Sequence, residues 1–157
     1  MILKMESDLF GTLEYEATEV YTFEQGIPGF PNEREFLLVQ VQDSPFTVLH
    51  SLQGNLYFFL IDPFRFFADY EFALPDYVLD QLEIKNRENV LSYSIVVLRD
   101  PLHDSTVNLV APIVLNTTNR KGMQLVLEKT NYSVRQPIFS DKETTVSRQG
   151  QTAEQGR

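Results

Sequence analysis

The sequence predicts an all-β fold: a small antiparallel β-barrel or sandwich in a single domain, with one short helix. Apolar residues alternate with polar ones along most of the chain, at the two-residue period of strands. Turn residues separate these runs at short intervals, as in QDSP (42–45) and QGN (53–55). The 157 residues, 43% of them apolar, are enough for one core and fall in the size range of one domain.

The first predicted strand is TLEYEATEV. Its apolar members Leu13, Tyr15 and Ala17 would lie on one face, and Glu14 and Glu16 on the other. The pattern therefore predicts a half-buried strand with an acidic outer face.

Five further segments follow the strand period. Because turn residues separate several of them, we expect neighbouring strands to be joined by short turns and to run antiparallel. The segments are FLLVQV (36–41), FTVLHSL (46–52), LYFFLI (56–61), VLSYSIVVL (90–98) and MQLVLE (123–128).

One segment, LPDYVLDQLEI (74–84), has the period of a helix. Val78 and Leu82 are four residues apart, so they would share a face. Pro75 and Asp76 are typical of a helix start. We expect one short helix here that covers an end of the barrel.

The most strand-like segment, TVNLVAPIVLN (106–116), has Pro112 near its middle. Proline cannot donate a ladder hydrogen bond and keeps the preceding residue out of the helical region. The segment therefore predicts two strand pieces that meet at a bend or bulge, so that one strand serves two parts of the sheet. We expect Asn108 and Asn116 to satisfy backbone groups near this bend rather than to contact a partner.

A second distinctive segment is FEQGIPGFP (23–31), which contains two glycines and two prolines. Glycine permits a positive φ and proline fixes φ, so the segment predicts one rigid turn that seals the end of the barrel. Its structural residues are Gly26, Pro28, Gly29 and Phe30.

Acidic residues are concentrated in the first half of the chain. Residues 1–80 contain 14 Asp or Glu and 3 Lys or Arg, whereas residues 81–139 contain 5 and 7. An acidic field repels nucleic acid and raises association rates with basic partners. The alternative is a solvated surface that only keeps the protein soluble. Neither interpretation predicts direct binding to nucleic acid.

The segment IDPFRFFADYEFALPD (61–76) holds five aromatic residues beside several acids. Alternate apolar positions facing the core are the simpler interpretation. The other is an aromatic surface patch with an acidic rim, which is typical of a protein-binding site. Under that second interpretation the contact residues are Phe67, Asp69, Tyr70 and Glu71.

Motifs of catalysis and metal binding are missing from the sequence. There is no Cys, no phosphate-binding loop and no G-x-S-x-G nucleophile elbow. His50 lies in a strand pattern and is expected to be a hydrogen-bonded structural residue, while His103 lies in a predicted hairpin connection. We predict no catalytic residues, no cofactor and no metal.

The sequence indicates a soluble cytoplasmic protein. The N-terminus lacks the basic and apolar regions of a signal peptide, and the longest apolar stretch, 56–61, is far too short to span a membrane. Residues 140–157 contain no aromatic residue and a single Val, so we expect a polar disordered tail after a domain at 1–139.

Three motifs occur in an order and spacing that resemble the FliW family of flagellar assembly factors. They are GIPGF (26–30), IDP (61–63) and NLVAPIVLN (108–116). MQLVLE (123–128) and YSVRQPIF (132–139) also lie where that family closes its domain.

The resemblance implies a non-enzymatic regulator of flagellin synthesis. FliW-family proteins bind and antagonise the RNA-binding translational repressor CsrA, away from its RNA-contacting surface, and they are occupied by cytoplasmic flagellin in a partner switch. The expected partners are therefore a CsrA-type repressor and flagellin. The acidic first half, including Glu14, Glu16, Asp69 and Glu71, would speed the capture of CsrA.

Two alternatives remain open at this point. One is a dedicated flagellin chaperone with a secondary CsrA role. The other is a small-molecule-binding barrel or an enzyme, which the lack of Cys, of clustered His and of a phosphate loop disfavours. Whether CsrA and flagellin share one surface does not follow from the sequence.

Overall fold

Seven β-strands close into a barrel in the computed structural model, which describes residues 1–139. The predicted all-β barrel is therefore confirmed. The predicted tail, 140–157, lies outside the described residues. The strands are β1 (Leu3–Ser7), β2 (Gly11–Tyr15), β3 (Tyr21–Thr22), β4 (Glu35–Gln40), β5 (Thr47–Ser51), β6 (Tyr57–Ile61), β7 (Val90–Val97), β8 (Thr106–Val107), β9 (Ile113–Asn116), β10 (Lys121–Gln124) and β11 (Gln136–Pro137). The helices are α1 (Pro63–Phe66) and α2 (Asp76–Gln81).

The barrel runs in the order β3, β4, β5, β6, β7, β9 and β10, and β10 returns to β3. Its neighbours are antiparallel except for the single parallel pairing of β10 with β3, where Lys121 lies opposite Thr22. β8 and β11 extend the sheet outward from the second half of β7. β1 and β2 form a separate two-stranded hairpin.

Side chains at alternate strand positions fill the barrel interior. Leu49, Leu60, Ile113 and Leu115 are fully buried in one cluster. Burial of each such side chain contributes about 1.5–3 kcal/mol. At Gly122 there is no space for a side chain, because an added Cβ would lie 2.6 Å from Leu115 Cδ2.

The hairpin of β1 and β2 is attached to the barrel through His50. The His50 ring is fully buried, and its Nε2 lies 2.8 Å from Ser7 Oγ. Its Nδ1 lies 2.9 Å from the carbonyl oxygen of Ser51. Since that carbonyl can only accept, Nδ1 donates to it and Nε2 accepts from the Ser7 hydroxyl. The prediction that His50 is a hydrogen-bonded structural residue is confirmed.

β7 serves two parts of the sheet, and Pro112 lies in the bend that makes this possible. Residues 90–93 of β7 pair with β9, and residues 96–97 pair with β8. Residues 108–112 connect β8 to β9 without strand structure. Residues 106–116 therefore form two strands joined at a bend, as the sequence predicts.

The ladder between β9 and β10 continues past Pro112 with hydrogen bonds in one direction only. The Leu125 amide donates to Pro112 O and the Leu127 amide donates to Val110 O, both at 2.8 Å. The return bonds are missing because Pro112 has no amide hydrogen and the Val110 amide donates to Asn108 Oδ1 at 2.9 Å. Pro112 is tolerated in this buried position because only its carbonyl is used.

Asn108 and Asn116 satisfy backbone groups on either side of the bend. Asn108 Oδ1 also accepts from the Ala111 amide at 3.2 Å. Asn116 Nδ2 donates to Leu82 O at 2.9 Å and so connects β9 to the residue that follows α2. Because Asn116 is buried, leaving its amide unpaired would cost about 1–3 kcal/mol.

The GIPGF segment forms a tight turn against the barrel. Gly26 and Gly29 have φ values of +68° and +92°, which residues with a side chain rarely adopt. Ile27 and Phe30 form an isolated antiparallel bridge across the turn. Ile27 is buried in the barrel core, whereas Phe30 is 43% exposed and packs edge-on against the Phe58 ring.

The structure departs from the sequence prediction in several elements. The predicted strand TLEYEATEV ends at Tyr15, and Ala17–Glu19 form a 3-10 turn closed by a capping box of Glu16 and Glu19. The sequence patterns predict none of the strands β1, β3 and β11, and they do not predict α1, so the structure has two short helices rather than one. β10 ends at Gln124, short of the predicted MQLVLE strand, because the return hydrogen bonds stop at the proline bend.

Candidate protein-interaction surface

The aromatic segment 61–76 starts from a capped helix. Asp62 Oδ1 accepts a hydrogen bond from the Phe64 amide at 3.0 Å, and Pro63 occupies the first helical position. Both features favour the start of a helix at this point. The helix ends after one turn at Phe67, and the chain then runs without regular structure to α2.

Burial divides the five aromatic rings of this segment between the core and the surface. Tyr70 is 4% exposed and Phe64 is 46% exposed, while Phe66, Phe67 and Phe72 are half-buried. Tyr70 therefore does not present its ring to a partner, although the surface-patch interpretation of the sequence predicts it as a contact residue. It anchors the segment, since its hydroxyl donates to Leu109 O at 2.8 Å.

Tyr132 holds the segment from outside. Its hydroxyl accepts from the Glu71 amide at 3.0 Å and donates to Glu71 O at 3.1 Å. Its ring packs edge-on against Tyr70, with 4.7 Å between the ring centroids. The hydrogen bonds between Tyr132 and Glu71 join residues 61 positions apart in the chain, and no local pattern in the sequence indicates them.

Two depressions flank this segment. The larger, which we call the Tyr77 groove, has a volume of about 470 Å³. The smaller has a volume of about 260 Å³ and includes Phe67, Asp69, Leu109 and Gln136. Tyr132 lines both. The Tyr77 groove is lined by Glu71, Phe72, Ala73, Pro75, Tyr77, residues 125–128, Thr130 and Tyr132.

Exposed carboxylates surround the two depressions. Asp69 and Glu71 are exposed, and neither forms an ion pair within residues 1–139. By contrast, Lys121 binds Glu24 and Glu83, at 3.3 and 2.6 Å. The hydrogen bond and charge of Lys121 lower the pKa of the Glu83 carboxyl.

Glu14 and Glu16 lie on another element. Both are exposed, Glu14 in β2 and Glu16 at the start of the 3-10 turn, where its side chain takes part in the capping box. The hairpin that carries them is held to β5 through Ser7 and His50. No described hydrogen bond or ion pair connects Glu14 or Glu16 to Asp69 or Glu71. Glu14 and Glu16 therefore belong to a different element from Asp69 and Glu71.

Burial raises the pKa of the Tyr70 hydroxyl to about 12. The folded protein thus retains this proton at a pH where the unfolded chain, with a tyrosine pKa of about 10, releases it. The Tyr70 hydroxyl therefore leaves the free energy of unfolding unchanged below about pH 10. As the pH rises towards about 12, the free energy of unfolding falls by about 2–3 kcal/mol, because only the unfolded chain releases this proton.

This dependence gives a testable prediction. We expect the stability advantage of the wild type over Tyr70→Phe, measured by urea unfolding, to shrink and then reverse as the pH rises from about 9 to about 12. The comparison with Tyr70→Phe removes contributions from other groups, including Tyr93, whose pKa burial also raises. A constant difference across this range would show that the Tyr70 hydroxyl titrates normally.

Within residues 1–139, no group of three or more His, Asp or Glu side chains is arranged to hold a metal ion. No helix in that range has the length and apolar character needed to cross a membrane.

The barrel and its motifs agree with a known family. The FliW protein family model matches residues 4–138. The chain belongs to the FliW family. It is 40% identical over 141 residues to the flagellar assembly factor FliW of Geobacillus kaustophilus, an alignment that covers 89% of this chain and 98% of the relative. It is 39% identical over 150 residues to that of Desulfitobacterium hafniense, covering 94% of this chain and 99% of the relative.

A crystal structure of the flagellar assembly factor FliW has the same fold. It superposes with a TM-score of 0.84 at 40% sequence identity, covering 87% of this chain and 97% of the other. The FliW barrel described above is therefore shared along almost the whole length of that structure.

Proposed function

We propose that this FliW-family protein is a non-enzymatic cytoplasmic regulator of flagellin synthesis, which binds and antagonises a CsrA-type translational repressor and is itself occupied by flagellin. Family membership over residues 4–138 carries the proposal, because relatives at about 40% identity are named flagellar assembly factors. In this partner switch, unexported flagellin occupies the protein and leaves the repressor free. Export of flagellin releases the protein, which then binds the repressor.

The surface chemistry supports a basic partner. A repressor that binds RNA presents Lys and Arg to phosphates, so an acidic protein surface attracts it at long range. Exposed carboxylates that form no ion pair within residues 1–139, such as Asp69 and Glu71, supply that field. The antagonism acts away from the RNA-contacting surface of the repressor, so the carboxylates accelerate the encounter and need not imitate RNA.

Charge reversal tests the electrostatic part of the proposal. We expect Asp69→Lys/Glu71→Lys to lower the association rate with CsrA roughly tenfold at low salt and to flatten its salt dependence. Stopped-flow fluorescence at several salt concentrations measures both quantities. The variant Glu14→Lys/Glu16→Lys, on the separate hairpin, shows whether that element contributes as well.

Glu88→Lys/Asp104→Lys is the matched control, because both residues are exposed and lie outside the acidic first half. It changes the net charge by the same amount. An equal slowing in the control would mean that the total charge matters and not its position at Asp69 and Glu71. Unchanged kinetics in all variants would rule out electrostatic capture.

Calorimetric titration of the protein into CsrA, repeated after saturation with unassembled flagellin, tests the partner switch itself. Binding that flagellin abolishes is the expected result. Binding to flagellin without binding to CsrA would instead indicate a dedicated flagellin chaperone. No binding to either protein would overturn the proposal.

A further inference from the structure

Beyond the end of β10, residues 125–128 form backbone hydrogen bonds on one side only within residues 1–139, which leaves the other side as an open edge. The amides of Leu125 and Leu127 point inward, to the carbonyls of Pro112 and Val110. Because backbone groups alternate in direction along an extended strand, the amides of Val126 and Glu128 point to the opposite side. Within residues 1–139, no backbone hydrogen bond uses either of these two amides.

The residues of this open edge line the Tyr77 groove. Residues 125–128 form one wall of the groove, and residues 71–73 with Pro75 and Tyr77 form the other. The amides of 72–74 also lack a backbone partner within the described chain. The groove therefore offers unpaired backbone groups along both walls, next to apolar side chains.

The side chains of the groove select for a partner that is apolar and basic. Tyr77 is 55% exposed and Val126 is 54% exposed, so both have area to bury. The charged lining residues are Glu71 and Glu128, and the lining contains no Lys or Arg. Val126 and Glu128 are two residues apart, so their side chains lie on the same face of the extended segment, and a partner strand would place an apolar side chain beside Val126 and a Lys or Arg two residues further along, beside Glu128.

We propose that the edge at 126–128 is a β-strand-addition site for an extended peptide segment of a partner protein, in which an apolar residue and a Lys or Arg lie two positions apart on the same face. In this mode the backbone hydrogen bonds supply affinity and the alternate side chains supply specificity. The inference goes beyond the proposed function, because it concerns the mode of binding and stands whichever protein carries the segment.

Two other occupants of the edge are less favourable. A second copy of this chain would bring its own Glu71 and Glu128 against the same carboxylates, and like charges at close range are unfavourable. The chain's residues 140–157 contain a single Val and no aromatic residue, so they offer little apolar area to Tyr77 and Val126.

The test uses acetylated, amidated decapeptides in which Val, Leu, Phe or Tyr and Lys or Arg take turns along one face of the strand, so that an apolar residue and a basic residue lie two positions apart. Their binding to the full-length protein is measured by fluorescence polarisation. Val126→Pro removes the outward amide while leaving the inward bonds of Leu125 and Leu127 in place, and proline is tolerated at strand edges. Val126→Thr is the matched control, since it keeps the amide and the branched side chain.

We expect members of the peptide set to bind at micromolar concentration. Val126→Pro, or N-methylation of alternate peptide amides, should weaken binding at least tenfold, whereas Val126→Thr should change it less than threefold. The same peptides with Glu in place of Lys or Arg should not bind.

Several results would overturn the proposal. These are no binding by any member of the set, or binding that is indifferent to both Val126→Pro and N-methylation. Concentration-dependent self-association that Val126→Pro abolishes would assign the edge to a second copy. Peptide binding that appears only after removal of residues 140–157 would assign it to the chain's own end. Circular dichroism of Val126→Pro verifies that the barrel remains folded.

Discussion

Replacing Tyr70 by alanine is expected to lower the free energy of unfolding by about 3–5 kcal/mol. The ring is 4% exposed and packs against Phe64, Phe72 and Tyr132, with centroids 4.7–5.6 Å apart. Its removal leaves a cavity and also leaves Leu109 O without the hydroxyl that donates to it. Urea unfolding followed by circular dichroism measures the effect.

Tyr70→Phe separates the ring from the hydroxyl. It keeps the ring packing and removes the hydrogen bond to Leu109, so we expect a loss of about 1–2 kcal/mol. If Tyr70→Ala cost no more than Tyr70→Phe, the ring would not be part of the core. Because Tyr132 packs on this ring while holding Glu71, Tyr70→Ala should also disturb both depressions of the candidate surface.

Gly26→Ala is the second substitution with a large expected effect, a destabilisation of about 3 kcal/mol or more. Alanine at the φ of +68° costs about 1–2 kcal/mol by itself. An added Cβ would also lie 2.6 Å from Pro31 O and 2.7 Å from Phe30 O. Both are backbone atoms, so the whole turn must shift to admit the methyl group.

Gly29→Ala is the control for Gly26→Ala, because it lies in the same turn at a φ of +92° with no atom within 4 Å of an added Cβ. We expect it to cost about 1–2 kcal/mol, from backbone strain alone. Thermal and urea unfolding of the two variants, compared side by side, isolate the steric part. Equal losses would show that the contact with Phe30 and Pro31 relaxes at no cost.

The attachment of the aromatic segment has a consequence for partner binding. Tyr70 fixes the segment from inside and Tyr132 from outside, through bonds to Leu109 and Glu71. The walls of the Tyr77 groove are therefore set before a partner arrives. A pre-formed groove loses less conformational entropy on binding than a flexible one.

Local sequence patterns predict most of the barrel. The period of two locates β4 to β7 to within a residue or two, because each of these strands buries one face or both. Proline chemistry similarly predicts the break between β8 and β9, and the helical spacing of Val78 and Leu82 predicts α2.

Other elements depend on contacts that no local pattern reveals. β1 is too polar to be predicted from its own sequence, and it is held by its pairing with β2 and by the hydrogen bond between Ser7 and His50. Likewise, α1 is a single turn that depends on the Asp62 cap. Tertiary packing outweighs intrinsic propensity for elements this short.

Some features of the candidate surface likewise follow from the sequence, and others follow only from the fold. The sequence by itself determined the barrel class, the family, the acidic first half and the cluster of rings between 61 and 76. Only the tertiary structure decided that Tyr70 is buried, that Tyr132 joins it from 62 positions away in the chain, and that Val126 lies on an open edge. The physical reason is that composition and period act between near neighbours, whereas burial and hydrogen-bond pairing are set by residues that meet only when the chain folds.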